Sequence, residues 1–375
     1  MPDQMPPQSL APDDGDDACS DPAPDEGLSH DEPVRHSLRL PGPGLPESVL
    51  WAGSIIVLQL VATFPVLYLL TRWWDLDLGD IDKALEAIGP DGRMLVLGLP
   101  TLLGFVVLVP LILMRLGRRP TATLNMSWPS LPQLAIVAST VLPLSIVADG
   151  LYSFADEQWQ ALARETGILE FLNGASVTEA LETQTKGASV MLMLVFIAVV
   201  PAIGEEFVFR GLIGRGLVAR WGVVLGVALT SVMFAAVHVY PPHVMAILPV
   251  GLVIHLVYLA TRSFWVPMLF HFLNNASAVL VLSSGMPMES EPQPLMMAGA
   301  IVYVLVALGL LWRFRTQYRG GDGETFSPPY VTVAEPVAES GYVRTSPQSV
   351  AATIVFGLLF AVQVGMLVGE VVGSG

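Results

Sequence analysis

Cysteine occurs once in this 375-residue chain, as Cys19, so the sequence offers no internal disulfide and no thiolate metal site. Charge is scarce as well: 14% of the residues are charged against 53% apolar, and the mean hydropathy is +0.61. That balance excludes a soluble catalytic domain and points to a membrane protein. The basic residues are dispersed rather than gathered in a patch, which argues against a nucleic-acid partner. The first residues lack the basic n-region and apolar h-region of a cleavable signal, so insertion is expected to rely on the first span. Internal repeats, lipidation motifs and the His-Glu-x-x-His signature of many zinc proteases are also missing.

Residues 1–48 carry eleven acids against Arg35 and Arg39, so this stretch supplies nine of the fifteen net negative charges. It reads as an acidic, proline-rich, disordered tail. Apolar windows of spanning length follow around 49–70, 94–114, 131–149, 188–212, 222–240, 244–261, 264–284, 296–312 and 349–372. The expected fold is an all-α, polytopic transmembrane bundle with eight or nine spans. Its domains read as 1–48 tail, 49–312 transmembrane block, 313–348 cytoplasmic linker, and 349–375 with a last span. The outside segments at 71–93 and 150–187 read as long acidic loops, with "DEQWQALARETGILEFLNG" taken as a solvated loop ahead of an amphipathic surface helix.

Thirteen basic residues fall on one side of this layout: Arg35, Arg39, Arg115, Arg118, Arg119, Arg210, Arg215, Arg220, Arg262, Arg313, Arg315, Arg319 and Arg344. Arg72, Lys83, Arg93, Arg164 and Lys186 fall on the other. The positive-inside rule then puts the amino terminus in the cytoplasm, with a prokaryotic plasma membrane as the expected location.

Against this background, three charges in "PAIGEEFVFRGLIGR" stand at the end of an apolar run. An ionised residue at mid-membrane costs roughly 2.5 to 3.5 kcal/mol on insertion scales, so Glu205, Glu206 and Arg210 require a reason. Glu206 and Arg210 are four apart and share a helix face, close enough to pair. A turn near 220–222 would bring Glu205 and His238 to one depth, about 24 to 26 Å from that turn. His271 and Asn275 repeat the four-residue spacing, and His271 lies nine residues after Arg262. Pro201 and Pro267 each precede a polar residue by four, so two kinks are expected beside one wetted cavity. His255 reads as a buried resident, His243 as a loop residue and Asn274 as a spare amide.

"EEFVFR", "FAAVH" and "HFLNN" come in that order on successive spans, and together they resemble the CAAX-protease and bacteriocin-processing family of intramembrane endopeptidases. The resemblance covers 188–284. It implies peptide-bond hydrolysis within the membrane by Glu205, Glu206, Arg210, His238, His271 and Asn275. On chemical grounds Glu205 suits the general base and His238 a water or metal ligand. Glu206 with Arg210 makes an architectural ion pair, and His271 with Asn275 supplies oxyanion donors. A zinc held by His238, His271 and Glu206, and water activation without metal, both stay open. The substrate is expected to be a membrane-embedded or lipid-modified peptide. The alternative is a non-catalytic transporter, scaffold or immunity protein, since intramembrane carboxylates and prolines serve transporters equally.

Overall fold

A computed structural model describes residues 42–75, 81–166, 181, 183–284, 292–319, 325–326 and 342–373. Most of the expected tail lies outside these residues. Helices are α1 (Leu45–Trp74), α2 (Ile81–Ala87), α3 (Gly89–Leu116), α4 (Pro120–Thr123), α5 (Leu131–Thr166), α6 (Val190–Ala236), α7 (Pro241–Thr261), α8 (Trp265–Ser284), α9 (Pro294–Arg313) and α10 (Pro347–Gly373). Among the described residues eight are long and apolar enough to cross a membrane: α1, α3 and α5 to α10. The protein is therefore an integral membrane protein with a polytopic helical bundle.

Several boundaries differ from the sequence reading; the expected loop 71–93 holds the end of α1, all of α2 and the start of α3, with 76–80 outside the described residues. Helix α1 starts at Leu45, behind Gly42 and Pro43, and Arg220 donates to the Pro43 carbonyl at 3.0 Å. Helix α5 does not stop where its apolar run ends. It continues to Thr166, so residues 150–166 are helical and not a loop, while 167–180 lie outside the described residues. Hydropathy reports where lipid ends, and a backbone already in helical register continues past that point.

Helix α6 departs from helical geometry at Gly222 (φ 75°, ψ 176°), a conformation open almost only to glycine. The chain doubles back there. Gly226 packs on the backbone of Val218, and the Phe209 and Phe234 rings meet edge to face at 5.2 Å. Two antiparallel legs thus face each other, one carrying the glutamates and the other His238.

Helix α7 occupies the centre. Twelve of its side chains are buried and apolar residues surround it on every face, as expected of a core helix rather than a lipid-facing one. On one side Tyr258 and Leu259 join the cluster of α1, α3 and α6 that holds Phe105, Phe209 and Phe264. On the other, Val253, Ile254 and Val257 join α5, α8, α9 and α10 around Ile136, Leu144 and Phe356.

Several basic residues are held at helix ends, whereas Arg210, grouped with them in the sequence reading, is wholly buried. Arg115 pairs with Glu47 at 3.1 Å, Arg215 donates to Thr123 O, and Ser127 donates to Arg262 O. At the opposite end of α3, Arg93 donates to Lys186 O and Asp91 accepts from the Ser189 amide. The stretch expected as a linker is anchored where described: Thr316 bonds Ala260 O and Thr261 O, Tyr318–Arg319 pairs antiparallel with Thr325–Phe326, and Gln317 bridges Tyr342.

Candidate active site

Glu205 and Glu206 sit on α6 between two π-helical turns, Leu194–Val199 and Phe207–Ile213. Such turns insert an extra residue per turn and often re-aim side chains at functional positions. The Phe105 ring of α3 presses on Gly204, where a Cβ would collide with it, so α3 fixes the backbone just before the glutamates.

The ion pair is present and wholly buried. Arg210 Nη1 donates to Glu206 Oε1 at 2.8 Å, and neither side chain meets solvent. Arg210 Nη2 donates to the Gly251 carbonyl of α7 at 2.8 Å, and the guanidinium lies 4.4 Å from the centre of the Phe234 ring. Phe234 belongs to the "FAAVH" stretch but received no role from the sequence; its place four residues before His238 was the available signal.

His271 joins the two glutamates. Its Nδ1 is 2.9 Å from Glu206 Oε1, and its Nε2 is 4.0 Å from Glu205 Oε2. Since Glu206 is an acceptor already paired with Arg210, Nδ1 carries the proton, and Nε2 turns its lone pair toward Glu205 in the neutral ring. Glu205 Oε2 and Glu206 Oε2 are buried and lack a hydrogen-bond partner among the described residues.

His238 approaches from the second leg. Its Nδ1 lies 3.0 Å from Phe234 O, leaving Nε2 available, and Phe234 stands between it and His271, with ring centres 5.6 and 5.7 Å away. His243, expected in a loop, is instead in the first turn of α7, with its ring 5.0 Å from that of His238. His255 is buried against Gly214 of α6, one turn beyond the carbonyl that binds Arg210. Asn275 donates from Nδ2 to Ile197 O at 3.0 Å. Pro267 falls in the first turn of α8, so the kink expected before His271 is absent; a proline there interrupts no helical hydrogen bond.

The zinc alternative would draw on His238, His271 and Glu206. Glu206 Oε1 is committed to Arg210 and His271, and among the described residues no three His, Cys, Asp or Glu side chains are grouped to hold a metal.

The segment bearing all of these residues has known counterparts. Residues 187–277 match the family described as type II CAAX prenyl endopeptidase Rce1-like. The chain also aligns with the Bacillus subtilis (strain 168) protein named "Putative membrane peptidase YdiL", at 28% identity over 93 residues. That alignment takes in 25% of this chain and 38% of the relative, so the chain spans well under half of that protein's length. No solved structure matches the chain.

Proposed function

We propose that the protein is an intramembrane peptidase that hydrolyses a peptide bond of a membrane-associated peptide by activating water between Glu205 and His271. The observation carrying this reading is the facing pair of Glu205 Oε2 and His271 Nε2, 4.0 Å apart, with the far side of the imidazole held by Glu206 and Arg210. A water bonded to both groups loses its proton to Glu205 as its oxygen attacks the scissile carbonyl carbon. The C–N bond then breaks, and the proton passes from Glu205 to the departing amine. Glu206 fixes the imidazole through Nδ1 and stabilises it if it takes up a proton, the part a carboxylate plays behind a catalytic histidine elsewhere. His238 stands on the far side of the Phe234 ring from His271, with Nδ1 turned to Phe234 O. The match to endopeptidase-type relatives supports the reaction class.

We further infer that the end holding Arg115, Arg215, Arg220 and Arg262 is cytoplasmic, by the positive-inside rule, in a prokaryotic plasma membrane.

The test is purified protein in lipid nanodiscs with a library of fluorogenic apolar peptides. Cleavage that is present in the native protein and lost in Glu205→Gln is expected. Equal cleavage by both, or none by the native protein alongside solute uptake in vesicles, overturns the proposal.

A further inference from the structure

Helix α5 runs past its apolar stretch, and the extension reaches the corner where α6 hands over to α7. The last residue of α6 is Ala236, and α7 opens at Pro241. Between them Val239 stands at φ 63°, in the left-handed region. A β-branched residue is a true outlier there, because its Cβ crowds the following carbonyl. Val239 is 68% exposed and gains little by packing, so the corner must be held by its neighbours.

Tyr240 supplies that hold. Its amide donates to His238 O at 2.6 Å, which closes a tight three-residue turn around Val239. Its side chain is buried, and its hydroxyl donates to Asp156 Oδ1 of α5 at 2.7 Å. The Trp159 ring meets the Tyr240 ring edge to face at 6.4 Å. Asp156 and Trp159 are three apart on the α5 extension and share a face, in the stretch that the sequence reads as a solvated loop.

The corner ends the leg of α6 that meets the candidate site. His238 and His243 flank it, with rings 5.0 Å apart, and Phe234 lies one turn before His238. The Phe234 ring packs on the Arg210 guanidinium and stands 5.7 Å from the His271 ring. Movement of the corner therefore reaches Arg210 and His271 through Phe234.

We propose that Asp156 is a positioning residue: by binding Tyr240 it holds the strained corner at Val239, and with it the leg that seats Phe234 against Arg210 and His271. Its effect on rate rests on the peptidase reading above; the latch itself does not.

The experiment is a double-mutant cycle in nanodiscs. Asp156→Ala and Tyr240→Phe should each lower kcat about 2- to 10-fold with KM nearly unchanged, a share of what a hydrogen bond to a carboxylate is worth. The combination should cost no more than either alone. Asp156→Asn, whose amide oxygen still accepts from Tyr240, should keep most of the rate. Val239→Asn, which adopts φ 63° more readily, should return part of the rate lost in Asp156→Ala. Multiplying losses, a full loss in Asp156→Asn, or no recovery with Val239→Asn overturns the inference. A second readout needs no cleavage: amide hydrogen exchange over residues 234–245, followed by mass spectrometry. Exchange about 2- to 10-fold faster in Asp156→Ala and Tyr240→Phe, and unchanged in Asp156→Asn, supports the latch even if no peptide is ever cut, an outcome that would count against the peptidase reading alone. Exchange unchanged in all three overturns the latch, and faster exchange with undiminished kcat overturns the positioning role.

Discussion

The guanidinium of Arg210 rests 4.4 Å from the ring centre of Phe234, and the two residues come from opposite legs of α6. Arg210 is consequently held by Glu206 on its own leg, by Phe234 on the other, and by the Gly251 carbonyl of α7. Removing the counter-charge with Glu206→Gln leaves a buried cation without an anion, a change that typically costs about 3 to 5 kcal/mol. A marked drop in the thermal midpoint in detergent is expected, together with loss of cleavage. An unchanged midpoint would remove the ion pair from the account of stability.

Glu205→Gln should behave differently, because Glu205 Oε2 accepts no hydrogen bond among the described residues and lies 4.0 Å from His271 Nε2. The amide keeps the shape and loses the base. Cleavage should fall by about 100- to 10,000-fold, the range over which general bases contribute, while the thermal midpoint holds. Near-native turnover would place the base elsewhere.

The fold-back of α6 gives a third expectation. A Cβ on Gly226 would lie 2.5 Å from the Val218 backbone, which cannot swing aside as a side chain does. Gly226→Ala should cost about 1 to 3 kcal/mol through overpacking, and Gly222→Ala a similar amount through strain at φ 75°. Both are read as midpoint shifts, with lipid-facing Gly365→Ala, where a Cβ meets nothing within 4 Å, as the silent control.

Truncation at the amino terminus supplies the fourth. A chain starting at Gly42 keeps the Pro43 contact with Arg220 and the Glu47 pair with Arg115, whereas one starting at Pro46 loses the first. The shorter chain should melt lower in detergent. Identical midpoints would show that the Gly42–Gly44 segment does not support the α6 turn.

Much of this arrangement was legible because the bilayer imposes a length on apolar runs and a cost on lone charges. The spans, the turn at Gly222 and the four-residue pairing of Glu206 with Arg210 follow from those two constraints. What hydropathy does not encode is helix beyond the lipid, hence the missed stretch 150–166 of α5 and the early start of α1. Proline was read by its presence alone: Pro201 interrupts a ladder and Pro267 opens one, and only the helix boundary separates the two cases. The π-helical turns around the glutamates leave no compositional trace, and the contact of His243 with His238 depends on a helix beginning at Pro241 where a loop was expected.

Because α6 doubles back at Gly222, Glu205, Glu206, Arg210, Phe234 and His238 are all contributed by one continuous stretch, and His271 is supplied more than thirty residues later. During synthesis the chain emerges in that order. The hairpin, with its internal ion pair, has its residues in place before α8 leaves the ribosome, yet Glu206 has no imidazole to bind and Glu205 none to face until α8 inserts. Biogenesis thereby orders the ion pair ahead of the imidazole: the carboxylates enter the membrane before His271 is there to meet them.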